Sequence, residues 1–210
     1  MRLSRRTFAL AALAAAAAPG VAFAQSGLSA ADRALVQRAT EYLQGLTGAR
    51  GSFTETGPGG QTRSGRFYLK RPGKMRFEYT NPSGLLVVSD GSNVNRYDPR
   101  LNVFRQVPLS ATPLSVFLAN EIRLDRGVRI DRVTPMADGA FSIVARDARR
   151  PNDGSVTLVF GGSPLRLREW TITDPQNQRT RTQLTSLERA SGLDNSLFVL
   201  RDPTRRPRRN

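Results

Sequence analysis

The chain has 210 residues, with 32 lysines and arginines against 17 acids and a formal charge of +15. It contains no cysteine and no histidine. That excludes disulfides, thiolate zinc sites, thiol nucleophiles and Ser-His-Asp triads, and removes the commonest general base. Paired-carboxylate glycosidases and Ser-Lys hydrolases survive the filter, but no spacing in the chain points to either. The expectation is a non-enzyme without cofactor or metal.

Residues 1–24 carry Arg2, Arg5 and Arg6, an alanine-rich apolar run and Ala22-Phe23-Ala24. This is the charged region, apolar region and cleavage site of a secretory signal, cut after Ala24. Ser4-Arg5-Arg6-Thr7-Phe8 also fits a twin-arginine signal, and the general secretory reading stays open beside it. Without residues 1–24, which hold three arginines and no acid, the charge is +12. Residues 25–200 make one domain in size. Residues 201–210 are rich in arginine and proline, the composition of a disordered tail.

Residues 29–46 read as a helix, with Ser29 as N-cap, Asp32 three residues on, and an apolar stripe through Leu35, Ala39, Tyr42 or Leu43, and Leu46. From Arg50 on, short alternating runs are separated by turn signals such as Arg71-Pro72-Gly73 and Asp90-Gly91. About 11 strands fit between them, in one large antiparallel sheet, strongly curled or closed. Residues 108–124 interrupt the strands as a second helix, with Thr112 as N-cap, Pro113 in the first turn, and Leu114, Phe117 and Leu118 on one face.

Residues 65–79, GRFYLKRPGKMRFEY, set the chemistry. In an extended chain, neighbours point to opposite faces. Alternation puts Phe67, Leu69, Met75, Phe77 and Tyr79 on one face and Arg66, Lys70, Arg76 and Glu78 on the other. A single-strand nucleic-acid surface needs aromatics and cations together, so this hairpin argues against nucleic acid and for a solvated charged face over an apolar one. Arg71 sits where alternation breaks, and its fork of donors suits carbonyls on a neighbouring segment. Leu86, Val88, Phe104, Trp170 and Ile172 are assigned to the same interior as the hairpin's apolar residues. The apolar phase shifts near Arg168-Glu169, which a β-bulge or a strand drawn with the wrong bounds would equally explain.

Gly51-Ser52-Phe53-Thr54, then Gly65-Arg66-Phe67-Tyr68-Leu69-Lys70-Arg71-Pro72-Gly73-Lys74-Met75-Arg76-Phe77-Glu78-Tyr79, Pro82, Val88-Ser89-Asp90-Gly91 and Tyr97-Asp98 resemble the periplasmic outer-membrane lipoprotein carrier family, LolA. Thr112 to Leu118 resembles its lid. The resemblance runs in order along essentially the whole chain after the signal. It departs at Phe77 and near Asn95, where the family often has tryptophan.

The resemblance implies a mainly β (α+β) fold, an incomplete antiparallel barrel of about 11 strands with helices over its mouth. It implies a monomeric periplasmic carrier whose cavity binds the acyl chains of lipoproteins. Cargo would come from an inner-membrane lipoprotein-releasing ABC transporter and go to an outer-membrane receptor or to the outer membrane itself. Phe67, Leu69, Met75, Phe77, Tyr79, Leu86, Val88, Phe104, Trp170 and Ile172 would line the cavity, under a lid of Pro113, Leu114, Phe117 and Leu118. Arg71 would hydrogen-bond the lid and hold the empty form closed. The alternatives are a non-transporting lipid or partner sensor of the same shape, an exported hydrolase, and a nucleic-acid binder.

Overall fold

The structure, a computed structural model, describes residues 27–205 except 82, 113 and 125. The signal segment, Pro113 and residues 206–210 therefore lie outside the described residues.

The first helix, α1 (Ala30–Gly45), starts as its sequence dictates. The Ser29 side chain accepts from the Asp32 N–H, and the Asp32 carboxylate accepts from the Ser29 N–H, a reciprocal capping box. Eleven strands follow: β1 (Gly48–Thr56), β2 (Thr62–Lys70), β3 (Lys74–Asn81), β4 (Ser83–Asp90), β5 (Asn93–Asp98), β6 (Val103–Pro108), β7 (Val128–Pro135), β8 (Phe141–Asp147), β9 (Ser155–Gly161), β10 (Arg166–Thr173) and β11 (Arg179–Arg189). They form one antiparallel sheet in the order β6-β5-β4-β3-β2-β1-β11-β10-β9-β8-β7. The fold class and strand number expected from the turn spacing are those observed.

The sheet curls without closing. Phe77 on β3 and Trp170 on β10 are four strand positions apart, about 19 Å in a flat sheet, yet their ring centroids lie 6.0 Å apart. Both rings stand on the concave face. The two edges, β6 and β7, are consecutive in the chain, so the connection between them must cross the concavity. That connection is the expected second helix, and it is much shorter than expected. It holds a 3₁₀ turn (Leu109–Ala111) and one helical turn, α2 (Leu114–Phe117). Beyond α2 the backbone groups are taken by tertiary partners, described below, and the helix does not continue.

The concave face carries two apolar clusters. One gathers Phe53, Phe67, Met75, Phe77, Tyr79 and Leu85, and the other Leu43, Phe141, Ile143, Leu158 and Phe160. Tyr42 and Trp170 pack against both.

The β2–β3 register is the one alternation requires, with Phe67 opposite Phe77, Leu69 opposite Met75 and Tyr68 opposite Arg76. Of the two readings of the phase shift in β10, the bulge holds, with a register shift between Leu167 and Glu169.

The charged face of this hairpin is not left to water. Residues 193–205 cross the convex face as a strap. Lys70 Nζ donates to the Leu193 carbonyl at 2.6 Å, and Lys70 and Lys74 both donate to Asn195 Oδ1 at 2.9 Å. Arg76 donates to the Leu197 carbonyl at 3.0 Å. Phe198 is the strap's apolar anchor, only 1% exposed. Of the tail expected to be disordered, Arg201–Arg205 is described and turns on Asp202, whose carboxylate accepts from the Thr204 N–H and hydroxyl.

Candidate functional site

Under the α2 segment lies an apolar cavity of about 110 Å³. All sixteen residues that line it are apolar. Six of the ten residues assigned to the interior from the sequence are among them: Phe67, Leu69, Met75, Phe77, Trp170 and Ile172. Leu114, Phe117 and Leu118 of the α2 segment also line it. Tyr79 lies on the same concave face, beside Phe53 and away from the cavity wall.

Leu86, Val88 and Phe104 are on the wrong side. Leu86 is paired with Glu78, Val88 with Arg76, and Phe104 with Tyr97 across from Leu86. Directly paired residues share a face, so all three stand on the convex face, under the strap. The cause is local. A register shift between Glu78 and Thr80 separates β3 from β4, and Leu85-Leu86-Val87-Val88 is apolar throughout, so alternation sets no phase there. Leu85 and Val87 are the inward pair, and both pack into the first apolar cluster. The sequence reading also missed Leu43, Leu46, Val156, Leu158, Leu167, Leu184 and Leu187, which complete the wall. For Leu43 and Leu46 the signal was available, since both lie on the α1 apolar stripe.

Arg71 does not reach the lid. Its Nη2 donates to the Gln44 carbonyl at 2.7 Å, in the last turn of α1. The last carbonyls of a helix have no partner within it, and α1 has no basic residue of its own there. Arg71 supplies one donor, and Arg189 supplies another to the Gly45 carbonyl. Arg71 Nε and Nη1 are buried without a partner, and desolvation lowers the pKa of the guanidinium from its ordinary value.

The lid is held elsewhere. The Gly73 N–H donates to the Leu118 carbonyl at 2.7 Å. Gly73 has φ +74°, and a Cβ there would come within 2.7 Å of Gly91 Cα, so glycine is required where this bond forms. Gln44 is the main tertiary partner. Its Oε1 accepts from the Ile122 N–H at 2.8 Å, and its Nε2 donates to the Asn120 carbonyl at 3.3 Å. At the other end, Arg150 Nη2 donates to the Ser110 carbonyl at 3.2 Å. Gln44 was invisible to sequence reasoning, because an exposed glutamine on a helix carries no signal until the lid is placed over it.

The far end of the concave face is polar. Tyr79 donates to Glu55 Oε2 at 2.8 Å, Arg63 bonds Glu55 at 3.4 Å, and Arg96 bonds Asp98 at 3.3 Å. Burial, reinforced by the Glu55 charge, pushes the Tyr79 hydroxyl far above the ordinary tyrosine range. No group of three or more Asp or Glu side chains that could hold a metal comes together among the described residues.

These features define a class: an open half-barrel that keeps an apolar cavity beneath a lid made of its own edge-to-edge connection. Comparison with known proteins places the chain within that class. The family described as "Outer membrane lipoprotein carrier protein LolA" matches residues 44–201, and the chain belongs to this family. An outer-membrane lipoprotein carrier protein of Bordetella avium is 39% identical over 174 residues, covering 78% of this chain and 81% of that protein. Another, from Methylibium petroleiphilum, is 30% identical over 166 residues, covering 73% and 78%. A solved DUF1329 family protein from Desulfovibrio piger shares the fold, with a TM-score of 0.50 at 12% identity, over 80% of this chain and 96% of that one.

Proposed function

We infer that the protein is a periplasmic carrier that shields lipoprotein acyl chains between the inner and outer membranes. The observation that carries this reading is the wholly apolar cavity, walled by both halves of the sheet and by the lid.

The cavity's size bears on how cargo would enter. A cavity of about 150 Å³ accommodates benzene, and this one is about 110 Å³. An acyl chain of about 16 carbons needs far more room, so Leu114, Phe117 and Leu118 must give way. Lid and cargo would compete for the same apolar surface. A chain of that length represents on the order of 12 kcal/mol of burial at about 0.8 kcal/mol per CH₂.

Loading would come from an inner-membrane ABC transporter that releases lipoproteins, and delivery would be to an outer-membrane receptor or the membrane itself. Among the described residues no helix is long and apolar enough to cross a membrane, which suits a shuttle.

The test is capture of an apolar fluorescent probe and its displacement by a purified triacylated lipoprotein, followed by release of that lipoprotein from inner-membrane vesicles. Displacement with release supports the carrier. Absence of displacement refutes it, and displacement without release reduces it to a lipid-binding sensor.

A further inference from the structure

We propose that a second, smaller cavity beside the lid seats the ester-bearing glycerol end of acylated cargo, while the chains run past Phe117 into the wholly apolar cavity. The inference rests on the carrier reading and deepens it.

The second cavity has a volume of about 80 Å³ and lies between the lid segment and the β8–β9 turn. Phe117 and Val156 line both cavities, so the two spaces share a wall. Four sheet residues of the second cavity stand on one face. Val128 is paired with Asp147 and Ala145 with Val156, and Ala145 and Asp147 are two apart on β8. All four therefore point into the concavity. Val116 and Phe117 face them from the lid.

The rim is what separates this cavity from the first. An ester carbonyl drawn into a wholly apolar space would lose water and gain no donor, at a cost of about 1–3 kcal/mol. The second cavity has the Ser115 hydroxyl, the Asp147 carboxylate and the Arg150 guanidinium at its edge. Arg150 is held loosely. Its Nη2 donates to the Ser110 carbonyl at 3.2 Å and to Asp147 at 3.3 Å, and its Nη1 faces Asp153 at 3.5 Å. These contacts are long, the side chain is 43% exposed, and a guanidinium has five N–H donors. A cargo carbonyl can take one of them without displacing the lid.

Charge selects the occupant. Arg150 is already balanced by Asp147 and Asp153. Arg146 stands on the opposite face, where Asp131 holds it. The rim thus has no surplus positive charge for a phosphate, whereas a neutral ester needs only a donor. An acylglycerol fits this rim better than a phospholipid.

Trp170 is the only tryptophan in the chain and lines the first cavity, so bromine on a chain end that arrives there quenches its fluorescence. The purified protein is titrated with three short-chain lipids brominated at the chain ends: a 1,2-diacylglycerol, the dialkyl ether with the same chains, and the phosphatidylglycerol with the same chains. The diacylglycerol should bind about tenfold more tightly than the ether, the worth of a hydrogen bond to a charged donor. The phosphatidylglycerol should bind no better than the ether. Arg150→Met should bring ester and ether to parity, and any loosening of the lid cancels in that ratio. Phe117→Ala should quicken quenching several-fold in stopped flow. Equal binding of ester and ether by the unaltered protein overturns the proposal. So does an ester preference that survives Arg150→Met, phosphatidylglycerol binding as tight as that of the diacylglycerol, or quenching no faster in Phe117→Ala. In each of these cases the quenching itself leaves the carrier reading standing. Absence of quenching by all three lipids refutes the carrier reading and the proposal together.

Discussion

Gln44→Leu is the sharpest probe of the lid. The side chain makes two bonds to the segment that follows α2, at 2.8 Å to the Ile122 N–H and 3.3 Å to the Asn120 carbonyl. A net hydrogen bond is worth about 1 kcal/mol, and a buried group left unpaired costs more than that. The Asn120 bond is long and exposed and counts for little; the Ile122 bond is half-buried and counts for more. Together they should stabilise the closed lid by about 2 kcal/mol, a factor of about 30 in the closed-to-open ratio.

Leucine keeps the helix propensity and roughly the volume of glutamine, so the fold itself should hold. Hydrogen exchange across residues 114–124 should accelerate by that factor while exchange in β1 and β2 stays unchanged. If the open form is the binding form, probe affinity should rise in proportion to its population until opening saturates. Unchanged exchange across 114–124 would show that Gln44 does not hold the lid. Faster exchange with unchanged affinity would show that lid opening is not what admits cargo.

Arg71→Leu should loosen the lid indirectly, through the end of α1. Exchange should rise first in residues 40–47, and the double variant with Gln44→Leu should be clearly less than additive; full additivity would mean the two act separately. Such a variant should also impair release or recycling of cargo in a delivery assay, and delivery at the normal rate would remove Arg71 from the lid's mechanism. Phe198→Ala should cost about 3–5 kcal/mol in denaturant unfolding, and a loss under 1 kcal/mol would mean the strap is not anchored there. Tyr79 is raised by burial and by Glu55, so its sign is fixed. Its contribution is fully present below the unfolded value of about 10 and is lost as pH rises above it, because the unfolded chain gives up the proton first. Stability should therefore fall above pH 10 with a slope that Tyr79→Phe reduces, and an unchanged slope would refute the assignment.

Sequence alone disclosed the sheet and part of the cavity, and the line between success and failure is physical. Phe67, Leu69, Met75 and Phe77 alternate with charged residues, so their phase was fixed. Leu86 and Val88 sit in an unbroken apolar run whose two faces are both covered, one by the core and one by the strap, and Val88 is fully buried on the convex side. Alternation identifies the inner face only where the outer face is wet. The strap was unreadable for a related reason. Its bonds join residues more than 120 positions apart, and Lys70, Lys74 and Arg76 look the same in sequence whether they face water or a carbonyl. Arg71 was singled out as a turn arginine whose fork suits carbonyls, but nothing local could say which carbonyls it meets.

On the carrier reading, a short lid would serve the release of cargo. A long helix over the mouth would satisfy its own backbone and would present a continuous apolar stripe to the cavity. Here four tertiary hydrogen bonds, from Gly73, Gln44 and Arg150, hold the 110–122 segment. On opening, each is exchanged for water at about 1 kcal/mol. Leu118 is 4% exposed and Leu114 and Phe117 are half-buried, so withdrawing the three costs roughly 4–7 kcal/mol more. Opening work of about 8–11 kcal/mol nearly offsets the roughly 12 kcal/mol of one acyl chain. A single chain would then bind weakly, and each further chain that enters an already opened cavity would add most of its burial as affinity. On the carrier reading, a lid of this strength would make the protein respond to the number of acyl chains, admitting multiply acylated cargo and refusing lone fatty acids. Titration with mono-, di- and triacylated peptides of one sequence would test it: equal affinity across the series would mean that the lid contributes no opposing work.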